Sequence, residues 1–355
     1  MTITTQSAEP FREIELKLAL PCVDPHALEA MLSRLPLLAR RRATREQLHN
    51  TYFDTAEDTL NQQRVALRIR RVGSNDRPVW LQTLKMGGNG ESALSQRGEW
   101  ETTVSSAALE PAALARTPWP QLDPNGALFA ALAPRFTTDF TRTRWTVRNR
   151  DNASVVEVAL DIGQIVAAGH SAPICELELE LKAGNPIALF DIARQFARTV
   201  AVMPLGASKS QRGFALAGGT WDQPSRARPP ALSPEWPVPD TARRVMQEMV
   251  HHFTANLHSL LTSDEPEMVH QARVAWRRLK TALALFKKTP LVQGAPDLRA
   301  LKPLLNGLGK LRDLEVANLQ TLPMLANAYV AGSPKRKAHW LALQEALALA
   351  AQAQH

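Results

Sequence analysis

The chain has 355 residues, 45% hydrophobic and 21% charged, with 42 Lys and Arg against 34 Asp and Glu for a net charge of +8. This is an ordinary globular mix with material for a core, and its length predicts two domains. Two cysteines, Cys22 and Cys175, exclude a disulfide framework, and no apolar signal core or bilayer-length apolar stretch is present, so a soluble cytoplasmic protein is expected.

The first informative element is a predicted strand in which Glu13, Glu15 and Lys17 alternate with Ile14, Leu16 and Leu18. A helix is expected over 25–35. His49 precedes the TYFD segment, read as a turn, and is assigned an ordinary structural hydrogen bond rather than a catalytic one. Arg64, Arg68 and Arg70 then fall on one strand face opposite Val65, Leu67 and Ile69, with Arg71 pointing out. Lys85 shares a face with Leu81 and Thr83. Arg97, Glu99 and Glu101 share another, as do Arg142, Arg144 and Arg148, opposite Trp145 and Val147. Glu157 and Asp161 lie opposite Val156, Val158 and Leu160. Finally Glu176, Glu178, Glu180 and Lys182 alternate with Leu177, Leu179 and Leu181, followed by a helix over 186–202. Trp80, Trp100 and Trp145 sit on apolar faces and read as packing.

At least seven strands thus carry one charged and one apolar face. Three carboxylates along one strand face repel one another, and such a face persists most easily if it holds metal ions or meets a basic surface. In a sandwich these faces would point to water; in a closed barrel they would line a lumen, with helices covering the apolar faces. Wholly acidic stretches beside wholly basic ones favour a lumen built for a metal-bound polyanion. Arg97 and Arg144 could equally be structural partners of the carboxylates. No Ser/His/Asp or Cys/His arrangement is recognisable, which argues against a covalent route.

The strand-rich part is assigned to residues 10–218. Residues 219–239 hold six of the 25 prolines and read as a stiff linker, and 240–355 read as a helical domain with an Ala-rich, fraying end. From Asp240 onward 15 basic residues meet 9 acidic ones, a balance that favours polyanionic partners without fixing the chemistry. Val269, Ala272, Trp276, Leu279 and Leu283 have helical spacing and read as core. One step along, His270, Arg273, Arg277 and Lys280 form a basic stripe, either a solvated helix face or a polyanion-binding one. Arg312 and Asp313 read as a capping or pairing group.

The ordered set EIELK (Glu13, Glu15, Lys17), LRIR (Arg68, Arg70), LQTLK (Lys85), SQRGEWE (Arg97, Glu99), TDFTRTRW (Arg142, Arg144), VEVALDIG (Glu157, Asp161), CELELELK (Glu176, Glu178, Glu180) and SKSQRG (Lys209, Arg212) resembles the CYTH domain of the triphosphate tunnel metalloenzymes. The helical part, through VHQARVAWRRLKTALALF and LGKLRDLEV, resembles a CHAD domain shortened to little more than its first helical half. The implied fold is α+β: a closed antiparallel β-barrel tunnel with flanking helices, then an all-α helical bundle.

The likeness implies a divalent-metal-dependent inorganic triphosphatase using Mg²⁺ or Mn²⁺. Water would attack a terminal phosphorus in line, releasing phosphate and pyrophosphate. Glu13, Glu15, Glu176, Glu178 and Glu180 are assigned to metal. Lys17, Arg68, Arg70, Lys85, Arg142, Arg144, Lys209 and Arg212 are assigned to triphosphate. Glu157 and Asp161 keep three open roles: orienting the basic residues, ligating metal or positioning water. Polyphosphate is the partner implied for the helical stripe of His270, Arg273, Arg277 and Lys280; no membrane or specific nucleic-acid partner is expected. Competing readings are a non-catalytic polyphosphate-binding scaffold and other tunnel activities: adenylate cyclisation, or hydrolysis of thiamine or nucleoside triphosphates.

Overall fold

In the computed structural model, residues 11–21, 24–73, 77–87, 92–149, 153–221, 223–290 and 297–354 are described. Cys22 lies outside them. The chain divides into two units, Met1–Trp221 and Asp222–His355.

The first unit is built on β1 (Phe11–Ala19), β2 (Thr44–Asp54), β3 (Val65–Val72), β4 (Val79–Met86), β5 (Leu94–Val104), β6 (Ala133–Asn149), β7 (Ser154–Ala167) and β8 (His170–Ala183). They pair in the order β5-β4-β3-β2-β6-β7-β8-β1, and β1 also pairs with β5, which closes an eight-stranded antiparallel barrel. A two-residue β9 (Met203–Pro204) adds beside β1. The sandwich alternative is therefore replaced by the barrel. Closure sends every second side chain inward.

The outward apolar faces are covered by helices. Leu28 and Leu32 of α1 (Pro25–Arg34) share one buried cluster with Leu16, Leu18, Trp145, Val158, Leu160, Leu177 and Leu179. The helix following β8 joins the same cluster through Leu189, Ile192 and Phe196. Leu67 and Leu84 pack on Leu60, Leu114 and Trp119 from short helices between strands. Trp80 and Trp100 pack on outward clusters with Trp145, as expected of apolar faces.

Three local expectations need correction. TYFD is the end of β2, not a turn; the turn follows, its backbone held by the buried Asp54 carboxylate, which accepts from the amides of Thr55, Leu60 and Asn61. Arg64 precedes β3 with a φ of 59° and is exposed, so it leaves the inward row of Arg68 and Arg70. A positive φ cannot continue the strand's alternation. The helix expected over 186–202 is shorter, Ile187–Ala197. The Ala-rich terminus forms the end of a helix spanning Pro334–Gln354, a span that leaves the expected fraying untouched.

The second unit is helical. Its long helices are Val238–Ser259, Pro266–Leu285, Lys302–Val316, Leu322–Val330 and Pro334–Gln354. Val269, Ala272 and Leu279 are buried as the spacing predicts, Trp276 is half-buried, and Phe253 packs on it. The Pro-rich segment that precedes the first long helix is held within this unit. The Ser225 carbonyl meets His252 Nε2 at 2.9 Å and accepts from Asn256 at 3.0 Å. Among the described residues no helix is long and apolar enough to cross a membrane.

Candidate active site in the barrel interior

The inward residues of the barrel surround a cavity of about 390 Å³. Nine cationic side chains and seven carboxylates line it, among the described residues. The sequence-assigned Glu13, Glu15, Lys17, Arg68, Arg70, Lys85, Arg142, Arg144, Glu157, Glu178, Glu180 and Lys209 are all on its wall. Strand register explains the convergence: Glu15 stands opposite Glu180, Glu157 opposite Glu180, and Glu13 opposite Arg97. Three assigned residues, Asp161, Glu176 and Arg212, do not line the cavity. They are 0%, 1% and 4% exposed and form a layer behind its wall.

That layer is tied to a helix, α6 (Lys209–Ala217). Ser208 and Gln211 form a capping box at its start: the Ser208 hydroxyl accepts from the Gln211 amide, and Gln211 Oε1 accepts from the Ser208 amide. The box fixes Lys209 at the first helical position. A cation there opposes the helix dipole, and carboxylates hold it in place. Lys209 Nζ donates to Asp161 at 2.5 Å, to Glu178 at 2.9 Å and to Glu176. Arg212 also pairs with Glu176, so it reaches the cavity wall only through neighbours. Arg142 grips Asp161 with two hydrogen bonds, at 2.7 and 2.6 Å, and also pairs with Glu178. Asp161 thus orients two cations, one of the three roles left open for it. Both cations lie near the Phe140 ring, Lys209 at 4.9 Å and Arg142 at 5.6 Å from its centre.

Gly213 of α6 faces the Phe136 ring so closely that a β-carbon would stand 2.1 Å from ring atom Cε2. Phe136 in turn stacks on the cavity residue Tyr52, with centroids 4.5 Å apart. Gly213→Ala is therefore expected to lift α6 and cost about 1–3 kcal/mol. A lower melting temperature checks this, and an unchanged one would refute it.

On the opposite wall Lys85 Nζ donates to both Glu13 oxygens, at 2.9 and 2.8 Å, and lies 3.1 Å from Glu99. Glu15 accepts from Lys17 at 2.9 Å, Ser95 at 3.0 Å and Arg97 at 2.7 Å. Arg97 therefore takes the ion-pair role weighed for it. Arg144 pairs with Glu46 at 2.8 Å while still lining the cavity. Arg70 donates to Asn50, and Arg68 to the Tyr52 hydroxyl.

Charge states follow from this packing. For Glu15, burial pushes the pKa up, but Lys17, then Arg97 and Lys85, hold it well below the carboxylate range. For Glu178, Lys209 and Arg142 likewise overcome burial and hold it far down. Glu180 moves the other way, raised by burial and by Glu13 and Glu157 despite Lys182. Burial, with Arg68 and Arg142 nearby, lowers Arg70 to about 10. Glu99, buried but facing Lys85 and Arg68, falls from 4.5 to about 2.

A carboxylate depressed in the folded state stabilises the fold above its unfolded pKa and loses that contribution as pH falls through the folded value. Melting temperature is therefore expected to drop between pH 4.5 and about 2, and Glu99→Gln to shrink the drop. A flat profile over that window would contradict the assignment.

Two carboxylate groupings bear on a metal. Asp161, Glu176 and Glu178 offer oxygens within 4.8 Å of one another, but the Lys209 ammonium touches all three. At the other corner Glu13, Glu157 and Glu180 share the cavity wall, and the pKa of Glu180 is raised, first by burial and then by its two carboxylate neighbours. That donor set, all hard oxygens, suits a hard divalent ion, which would share Glu13 with Lys85 and Arg97 and Glu180 with Lys182.

Residues not assigned from the sequence also line the site: Tyr52, Thr83, Glu101, Phe140, Ser208 and Ser210. Lys182, the last charged residue of its alternating run, lines it too and pairs with Glu180 at 2.6 Å. The inward phase of β5 and β8 was the available signal for Glu101 and Lys182. His49 stays outside the cavity lining, 3.9 Å from Asp139. In the helical unit, Arg277 and Lys280 are exposed, whereas His270 and Arg273 are half-buried. Arg273 lies against Gly309, its Nη1 2.9 Å from where a β-carbon would stand. Arg312 pairs with Glu315 within one helix.

The CYTH domain family matches residues 12–214 and the CHAD domain family residues 244–355. An inorganic triphosphatase of Haemophilus influenzae is 35% identical over 207 residues, 58% of this chain and 55% of that protein. The chain thus spans about half the length of that relative. Among solved structures, an adenylyl cyclase candidate from Hippeastrum, described as having a dominant triphosphatase activity, matches at 20% identity with a TM-score of 0.42 over 57% of this chain and 95% of that one. A Pyrococcus horikoshii protein matches at 14% identity with a TM-score of 0.34 over 56% of this chain and 96% of its own.

Proposed function

The chain belongs to the CYTH-domain family, and on that premise we propose that its barrel hydrolyses inorganic triphosphate to phosphate and pyrophosphate with the help of Mg²⁺ or Mn²⁺. The observation that supports this most directly is the cavity wall, where nine cations and seven carboxylates share about 390 Å³. Such a volume suits a small polyanion, and cations in that number exceed what the wall's own carboxylates neutralise.

Phosphoanhydride hydrolysis asks the protein mainly for positioning and charge neutralisation. Arg68, Arg70, Arg142 and Arg144 would offer planar donor pairs to phosphate oxygens, and Lys17, Lys85 and Lys209 point charges. The Arg142–Asp161–Lys209 layer keeps two of these cations in place before substrate arrives, so little reorganisation accompanies binding. Glu13, Glu15, Glu157, Glu178 and Glu180 are the cavity carboxylates that would hold the metal, and Glu176 supports them by fixing Lys209 and Arg212. When bound, the ion would neutralise phosphate oxygens and acidify a coordinated water. In the reaction a water oxygen attacks the terminal phosphorus in line, and the bridging P–O bond breaks. Pyrophosphate leaves with the electron pair, its charge met by the arginines.

The test is phosphate release from tripolyphosphate, ATP, thiamine triphosphate and long-chain polyphosphate, with and without each metal. Metal-dependent release, fastest from tripolyphosphate, is expected; no release with either metal at neutral or alkaline pH would overturn the proposal. For the helical unit the proposal is retention of polyphosphate by its basic stripe, with Arg277 and Lys280 the accessible members. Reversing both to Glu is expected to weaken retention and leave triphosphate turnover intact; equal retention would remove the idea.

A further inference from the structure

One group of cations is unused by the proposed chemistry. Arg40, Arg41 and Arg42 follow α1, and the structure fixes where they sit. Arg41 Nη1 donates to the Thr146 carbonyl at 3.0 Å and its Nε to the Leu37 carbonyl at 2.8 Å. Two residues after Arg42, Thr44 enters β2 opposite Arg144. The segment is therefore fastened to the end of β6 remote from Phe136 and α6. Arg148, on the same strand phase as Arg142 and Arg144, is exposed at that end. Arg144 and Lys182 line the cavity and lead out to it.

The partners of these cations differ. Arg45, Arg144 and Lys182 are offset by Glu29, Glu46 and Glu180, at 3.7, 2.8 and 2.6 Å. Arg40, Arg42 and Arg148 have no carboxylate partner among the described residues and are exposed. Surplus cations therefore continue outward from the cavity rather than stopping at its mouth.

We propose that this rim is a binding track for a linear phosphoanhydride chain longer than triphosphate, whose end occupies the cavity while the following phosphates run past Arg144 and Lys182 to Arg148, Arg42 and Arg40. The inference rests on the triphosphatase reading for what occupies the cavity, and on the rim's own geometry for what lies outside it. A nucleic-acid chain is disfavoured by the same geometry. Residues 40–46 contain no aromatic, and Trp145 is 2% exposed on the outward face, so bases would meet no stacking platform. Negative charge repeated along a chain that carries no bases is what such a run of exposed arginines can bind.

The experiment uses the full chain and triphosphate hydrolysis, with medium-length polyphosphate as competitor. In Arg40→Gln/Arg42→Gln/Arg148→Gln, kcat and KM for triphosphate should be unchanged. Inhibition by polyphosphate should weaken about tenfold or more, and its salt dependence should flatten. Competition for the cavity is read rather than retention, because the helical unit's stripe is proposed to hold polyphosphate as well. Unchanged inhibition in the variant overturns the rim. So does an oligonucleotide 5′-triphosphate that competes as well as polyphosphate and is weakened equally. Should the native chain not turn over triphosphate, calorimetric titration with triphosphate and with polyphosphate makes the same comparison: the rim predicts a loss confined to the longer chain.

Discussion

Lys209→Met is expected to lower stability by about 3–5 kcal/mol and to abolish triphosphate turnover. The ammonium is 6% exposed and shared by Asp161, Glu176 and Glu178, themselves 0%, 1% and 16% exposed. Burial alone would lower its pKa, but the three carboxylates raise it above the ordinary lysine value, so it is charged at any working pH. Removing it leaves three negative side chains packed together in a poorly hydrated layer. Arg142 and Arg212 remain on two sides and limit the damage, which places the cost toward the lower part of that range. Turnover suffers for two reasons. A cation proposed to face phosphate would be gone, and the freed carboxylates would repel a polyanionic substrate. The double variant Lys209→Met/Glu176→Gln separates the effects. It should regain much of the stability by discharging one carboxylate, while turnover stays absent. Denaturant unfolding and phosphate release measure the two quantities. A single variant within 1 kcal/mol of the native chain and normally active would sink this account of the layer.

Period-two alternation placed the charged residues of β1, β7 and β8 on one face because a strand has no other way to arrange successive side chains. It could not choose between lumen and solvent. That choice is made by the pairing of β1 with β5, where Glu13 meets Arg97 across more than eighty residues of chain, and no local pattern announces it. Depth along the barrel was also hidden. Asp161 and Glu176 have the same inward phase as their neighbours, yet α6 covers them and sends its own Arg212 onto Glu176, and the seat of α6 depends on Gly213 meeting Phe136. Tyr52, Ser208 and Ser210 carry no charge, so a reading led by charge passed over them although they line the same wall. The family resemblance named the fold; the alternation explains why that fold yields a charged bore.

Glu13→Gln/Glu15→Gln is expected to reduce turnover by about two to three powers of ten while triphosphate binding is kept or strengthened. The argument begins with who holds these carboxylates. Glu13 is bound by Lys85 and Arg97, and Glu15 by Lys17, Ser95 and Arg97. If they served only to arrange the cations, an amide of the same shape would preserve most contacts through its remaining oxygen, and turnover would change little. If they hold a divalent ion, the amide loses the charge that the ion requires. The two roles also differ in sign for binding. Removing two negative charges from a wall that already carries a surplus of cations raises its positive potential, so triphosphate should bind at least as well without metal. The measurements are kcat and KM across a metal titration, with calorimetric binding of triphosphate in the absence of metal. Low kcat, a higher metal requirement and undiminished metal-free binding together assign the pair to the ion. Turnover within a few-fold of the native chain would return Glu13 and Glu15 to the role of cation supports and move the proposed metal site toward Glu157, Glu178 and Glu180.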